Sequence, residues 1–251
     1  EVRQIVVKAG KRDIVNEAFR VLRTNFEFTI GTHPEQNVIV FTSLNPGSGK
    51  SHLAANMAMS LAIKKKKVLL IDGDLRYGSS SMLIGSPGEG LSDYLNGRIA
   101  DIHDILHKGE ESGLVKYFDL IPIGTIPPNP TELLFTPLLE QMIKTMRQEY
   151  DYVFIDCPPI EVVADTPIYE QFADRTIFVV RAGLMERNML PEIDALYKEK
   201  KFKNMTMILN GTKIRGGRYG SHYGYGYGYG YGYGYNYNKE KNGGGKILNE
   251  W

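Results

Sequence analysis

The run Pro46-Gly-Ser-Gly-Lys-Ser51 combines the residue types that hold a phosphate. Its glycines let the backbone curl so that several N–H groups face one anion, and a helix opening behind it adds partial positive charge. Lys50 has the reach for β- and γ-phosphates, and the Ser51 hydroxyl can ligate Mg2+. With His52 directly behind, the stretch Pro46, Gly47, Ser48, Gly49, Lys50, Ser51 and His52 is read as nucleotide-binding. Leu44 stands where the usual phosphate-loop pattern begins with glycine, and the strand–loop–helix context makes up for that departure. Two acidic strand ends join the loop. Val153-Phe-Ile-Asp156 places a carboxylate that can hold Mg2+ directly or through water, and Leu69-Leu-Ile-Asp-Gly-Asp-Leu-Arg76 adds Asp72 and Asp74. Three carboxylates at the strand ends of one sheet repel one another unless a cation lies among them. A simple ATPase needs a metal ligand and a water-positioning group. The additional pair can take a proton from an incoming hydroxyl, as phosphoryl transfer to an acceptor requires. Taken alone, Asp72 and Asp74 also have a lesser structural reading, as capping or turn-forming residues after a strand.

The elements that must position these residues alternate along the chain. Apolar runs at Val38–Ser43, Val68–Asp72, Phe118–Ile123, Tyr152–Asp156, Thr176–Arg181 and Met205–Asn210 read as strands. Helical patterns lie between them, over Lys50–Ile63, Thr131–Glu149, Asp165–Phe172 and Leu190–Lys201. Unbroken apolar strands alternating with helices predict an α/β fold of the P-loop NTPase type, a mostly parallel sheet with helices on both faces. Ligands on such sheets sit beyond the carboxyl ends of the strands, where the loop and the acids fall. Ahead of the first strand, Ile14, Ala18, Val21, Leu22 and Phe28 predict an amphipathic helix over about Asp13 to Phe28, capped by Asp13 and with Gly31 just past its end.

Composition narrows the function classes. The chain has 251 residues, 30 Lys+Arg against 29 Asp+Glu, and a net charge of +1, so bulk electrostatics give nucleic-acid binding no support and no nucleic-acid partner is expected. One cysteine, Cys157, excludes a disulfide framework and a cysteine zinc site and suits a reducing compartment; it reads as a small packing residue. No apolar run approaches the ~20 residues that cross a bilayer, and no secretory signal opens the chain. The opening at Glu1, without Met, suits a piece of a longer protein. His103 and His107, spaced i, i+4 in an expected helix, lack a third metal ligand, and Lys64–Lys67 reads as a solvated turn. The 16 Tyr and 27 Gly are unevenly placed. Tyr219, Tyr223, Tyr225, Tyr227, Tyr229, Tyr231, Tyr233, Tyr235 and Tyr237 crowd one stretch, most of it a strict Tyr-Gly alternation. With no aliphatic residues there is little to bury against the entropy of ordering it, so a disordered Tyr/Gly-rich tail is expected.

Together these motifs resemble the bacterial tyrosine kinases that regulate polysaccharide export. The phosphate loop, the Asp-x-Asp-x-Arg at Asp72, Asp74 and Arg76, the strand end Asp156-Cys-Pro158 and the segment Pro127-Pro-Asn-Pro-Thr-Glu-Leu133 occur in the family's order and spacing. The family's Glu-x-x-Arg-x-x-Arg motif, implicated in subunit contacts, is matched by Glu17, Arg20 and Arg23, whose spacing gives them one helix face. The resemblance implies an N-terminal helical oligomerisation segment over 1–37, a kinase domain over 38–215 and a flexible tyrosine-cluster tail over 216–251. It also implies an enzyme that uses ATP and Mg2+ to phosphorylate its own tail tyrosines, mainly between subunits of a ring, in the control of exopolysaccharide or capsule synthesis and export. In this scheme Lys50 and Ser51 bind phosphates and metal, Ser51, Asp74 and Asp156 serve the metal, and Asp72 is the base for the tyrosine hydroxyl. Arg76 steers phosphate or acceptor, and Asn210 contacts the nucleotide base. Implied partners are a transmembrane activator segment, fused upstream or separate, and a cognate tyrosine phosphatase; the implied location is the cytoplasmic side of the inner membrane.

The tail suits a substrate on physical grounds as well. From Arg215 to Trp251 five basic residues face two acidic ones, a charge of about +3 that favours approach to the ring of Asp72, Asp74 and Asp156. The alternative function is a dimerising P-loop ATPase switch of the partitioning or division-site type. That class carries an additional lysine early in the loop, where this chain has Leu44 and Asn45.

Overall fold

A computed structural model describes residues 5–30, 35–162 and 164–212. The tail, with Tyr219 to Tyr237, and Gly31 lie outside the described residues. Six strands, β1 (Val38–Ser43), β2 (Val68–Asp72), β3 (Phe118–Ile121), β4 (Tyr152–Asp156), β5 (Arg175–Arg181) and β6 (Thr206–Asn210), form one sheet in the order β3-β2-β4-β1-β5-β6. Every pairing is parallel. The helices are α1 (Ile14–Ile30), α2 (Lys50–Ala62), α3 (Leu91–Leu95), α4 (Pro130–Leu133), α5 (Pro137–Glu149), α6 (Thr166–Glu170) and α7 (Leu190–Lys198).

Strand alternation divides the core between the two faces. Val38, Val40, Leu69, Ile71, Val153 and Ile155 point one way, under α3, α5 and α6. Ile39, Phe41, Leu70 and Phe154 point the other way, under α2 and α1. A third cluster joins Phe178 and Val180 of β5 to Ile193 of α7. Coverage on both faces explains why the central strands β1, β2 and β4 are so largely apolar, whereas the edge strand β6 leaves Met207 and Leu209 exposed. The same logic explains α2, whose Leu53, Ala54, Met57, Ala58 and Leu61 are buried all round because it is held between the sheet and α1.

Three expectations are corrected. The α1 residues that carried the helical pattern do not face the core: Ile14 is 64% exposed, Val21 54% and Phe28 88%, Ala18 is exposed, and Leu22 is only half-buried. Instead the helix packs through Phe19, Phe26 and Ile30, with Phe26 at 5.6 Å from the Tyr152 ring and 5.7 Å from the Phe154 ring. The helix has two apolar stripes on opposite sides, and the one bearing two aromatic rings matched to β4 wins the sheet. Next, the helix expected over Thr131–Glu149 is two. Pro137 forces the preceding residue out of helical geometry, and Thr136 is extended (φ −73°, ψ 146°). Finally, His103 and His107 do not share a helix. His103 sits in a 3-10 turn, Ile102–Ile105, bonded to Asp101 and Glu149, while His107 bridges Leu120 at the sheet edge.

Candidate active site at the carboxyl edge of the sheet

The phosphate loop leaves β1 and enters α2 with Gly47 and Gly49 at φ +75° and +89°, a region that glycine alone occupies without strain. Its curl is held from inside and outside. Ser48 Oγ donates to the Asn45 carbonyl at 2.8 Å. Two residues from the ends of β5 and β6 grip its outer side: Arg181 donates to the Gly47 carbonyl at 2.8 Å, and Asn210 Nδ2 donates to the Ser48 carbonyl at 3.0 Å. A Cβ at Gly49 would lie 2.3 Å from that same Nδ2. Carbonyls drawn outward leave N–H groups free to face inward at the start of α2. Ser51 is buried in the first turn. His52 directs its imidazole at α1, edge-on to Phe19 with centroids 6.2 Å apart, so any part it takes in binding falls to its backbone.

The acids converge as the topology requires. Parallel pairing of β2 with β4 sets Asp72 and Asp156 side by side in register. Both are wholly buried. Asp72 Oδ2 accepts from Ser81 N (2.6 Å) and Ser81 Oγ (2.7 Å), and Asp156 Oδ2 accepts from Ser80 Oγ (2.7 Å). On each carboxylate Oδ1 has no partner. Burial, followed by the charge of Asp156, pushes the Asp72 carboxyl well above the usual carboxylate range. Asp74 is also raised, by burial first, with Lys50 pulling it back down; the lysine charge therefore acts at the acidic loop. Cys157 is wholly buried and its thiol is pushed up by burial.

Two orphaned buried carboxylate oxygens on adjacent strands suit a cation better than an empty space. Among the described residues no group of three or more His, Cys, Asp or Glu is placed to hold a metal. Such a site resembles those of Mg2+, which usually takes one or two carboxylates and completes its shell with phosphate and water.

Other candidates are placed differently. Arg76 is committed to Asp165 and, at 2.8 Å, to Thr131. Glu17, Arg20 and Arg23 are on α1, with Arg20 bonded to Glu17 and to the Lys11 carbonyl. Arg23 turns into its own chain and donates to Ser60 O and Oγ on α2 at 3.0 and 3.1 Å. Four contributors were not anticipated: Ser80, Ser81, Asp165 and Arg181. Arg181 could have been found, since it ends an apolar strand at the edge where ligands bind. The serines carry no motif, and only folding brings them to the acids.

Comparison with known proteins follows the same lines. A family model described as an AAA domain matches residues 36–183. The tyrosine-protein kinase CpsD of Streptococcus agalactiae is 34% identical over 208 residues, which are 82% of this chain and 87% of CpsD. The tyrosine-protein kinase Wzc of Salmonella typhimurium is 36% identical over 197 residues, 76% of this chain but 26% of Wzc; the chain thus spans about a quarter of the length of several relatives it matches. Among solved structures, the kinase domain of the Escherichia coli tyrosine kinase ETK superposes with a TM-score of 0.75 at 31% identity, covering 91% of this chain and 86% of that domain.

Proposed function

This chain belongs to the bacterial tyrosine-protein kinases, and from that premise we propose that it transfers the γ-phosphate of ATP to tyrosines of its own cluster, Tyr219 to Tyr237, mainly between copies. The observation that carries the reading is the paired Asp72 and Asp156, each with one buried oxygen unpartnered beside the phosphate loop. Hydrolysis alone gives Asp72 no task. Burial raises the Asp72 carboxyl above the usual carboxylate range, which makes it a stronger base toward a tyrosine hydroxyl than an exposed aspartate, and its two bonds from Ser81 leave Oδ1 as the oxygen to take the proton. Lys50 and Ser51 hold the phosphates, with Ser51, Asp74 and Asp156 as ligands for Mg2+. When bound, that cation neutralises charge on the transferring phosphoryl group. Arg76, tied to Asp165, shapes the acidic loop, and Asn210 braces the phosphate loop beside the base. The uncovered stripe Ile14, Ala18, Val21 and Phe28 on α1, flanked by Glu17 and Arg20, supports self-association through this helix into a ring. Kinship with tyrosine-protein kinases, one of them named for a cps region, supports a role in exopolysaccharide synthesis and export at the cytoplasmic face of the membrane, with a transmembrane activator and a cognate phosphatase as partners. Among the described residues no helix is long and apolar enough to cross a membrane.

The test is incubation with MgATP, phosphotyrosine mapping by mass spectrometry, and a mixture of wild type with Lys50→Met. Phosphate on the cluster, including that of the Lys50→Met copy, is expected. ATP hydrolysis with an unmodified cluster would replace this reading with the partitioning-type switch.

A further inference from the structure

Three contacts from one short helix converge on the acidic loops. Tyr169 of α6, wholly buried, donates its hydroxyl to the Gly73 carbonyl at 3.2 Å, one residue before Asp74. Asp165, wholly buried at the start of α6, receives the guanidinium of Arg76, two residues after Asp74. Thr131 closes this contact into a triangle: its hydroxyl donates to Asp165 Oδ1 at 2.6 Å and accepts from Arg76 at 2.8 Å. Thr166 donates to the Pro158 carbonyl at 3.0 Å, two residues past Asp156, and Thr42 of β1 donates to the same carbonyl at 2.9 Å. The loop bearing Asp74 is therefore pinned on both sides, and the turn after Asp156 is pinned from the same helix.

None of this is required for packing alone. A phenylalanine would fill the space of the Tyr169 ring, and an apolar residue would avoid burying the Asp165 charge, whose desolvation is costly unless well paired. The approach is also tight. A Cβ on Gly73 would lie 3.1 Å from Asp156 O, from Ile155 Cγ2 and from Tyr169 Cζ, so a side chain would be crowded between this loop, the end of β4 and the Tyr169 ring. Two anchor points one helical turn apart on a rigid element fix both position and tilt of a loop, where one would leave a pivot. Metal-binding carboxylates gain most from such fixing, because small misplacements of reacting groups cost large factors in rate.

We propose that Asp165, Thr166 and Tyr169 are positioning residues that set Asp74 and Asp156 for a phosphate-bound divalent cation, acting through Arg76, Pro158 and Gly73. The identity of the cation as Mg2+ rests on the kinase reading above. The test is equilibrium binding of fluorescent ADP, without Mg2+ and across a Mg2+ titration, to wild type, Tyr169→Phe and Asp165→Asn. Both variants are expected to bind the probe without metal as wild type does, through the intact phosphate loop. Each is expected to need about 10–100-fold more Mg2+ for half-saturation. Adding Arg76→Gln to Asp165→Asn should add little, since both remove one contact. Should Asp165→Asn fail to fold, Tyr169→Phe, which loses one oxygen and keeps the ring, decides the matter. Wild-type Mg2+ dependence in a folded variant overturns the proposal, as does equal weakening of binding with and without metal. If wild type binds Mg2+-nucleotide yet phosphorylates no tyrosine, the kinase reading fails while the binding comparison still judges these residues.

Discussion

Gly49 concentrates two demands on one residue. Its φ of +89° penalises any side chain, and its missing Cβ is the space that Asn210 occupies to hold the Ser48 carbonyl. Gly49→Ala should therefore abolish nucleotide binding and cost about 1–3 kcal/mol of stability, the usual range for a strained backbone position. Asn210→Ala tests the brace separately. It leaves the glycine geometry unstrained, so the melting temperature should hold while nucleotide affinity falls several-fold. In the double variant the steric clash is gone and the φ penalty remains, so stability should recover only in part. Thermal melts and fluorescent-nucleotide titrations of the three variants check this. Full recovery in the double variant would mean that crowding against Asn210, rather than backbone strain, dominates at Gly49.

At the scale of elements, α1 separates intramolecular packing from an uncovered surface. Phe26→Ala removes a ring packed against Tyr152 and Phe154 and should cost about 3–5 kcal/mol. Phe28→Ser, on the opposite side and 88% exposed, should leave the melt of the isolated chain unchanged while weakening self-association in sedimentation. The 3-10 turn Ile102–Ile105 is tied to α5 by His103, which lies between Asp101 and Glu149 and has its pKa raised by the hydrogen bonds its ring nitrogens donate to both carboxylates, Asp101 first. A raised folded-state pKa stabilises below the unfolded value of about 6.5, and that stabilisation is lost as pH rises through the folded value. The melting gap between wild type and His103→Asn should therefore be wider near about pH 5.5 than near about pH 8.5. An equal gap at both would mean the imidazolium charge contributes nothing. These elements also mark how far the sequence could be read. Phosphate loop, strand ends and sheet class were legible because period, glycine placement and strand-end acids are local signals. The face that α1 buries was not, since two apolar stripes compete and only β4's rings choose between them. Nor was the α4–α5 break, although Pro137 marked it, or the convergence of Ser80, Ser81 and Asp165 on residues distant in sequence.

For the molecule as a whole, the chain's balance of +1 is uneven in a way that bears on assembly. The stretch from Arg215 to Trp251 carries about +3, from five basic and two acidic residues, while the site presents Asp72, Asp74 and Asp156. On the proposed reading, the opposite signs of the stretch and the site favour the approach of a tail to a neighbour's site before any phosphate is transferred. Each phosphotyrosine adds about −1.5 to −2, so two or three reverse the sign of the stretch. On the proposed reading the product would then oppose its own redocking, and transfer between copies would weaken the assembly that permits it. On this argument the unphosphorylated protein should give a larger mass by light scattering than the protein incubated with MgATP, and phosphatase treatment should restore the larger mass. Because an encounter between the charges of two copies acts across solvent and is screened by ions, raising salt from low to physiological strength should narrow the difference. Replacing the tyrosines from Tyr219 to Tyr237 by phenylalanine should hold the assembly together in MgATP, since the basic residues stay and no phosphate can be added. A mass that is the same in both phosphorylation states would remove electrostatic release from the account and leave the exposed α1 stripe as the candidate surface for any self-association.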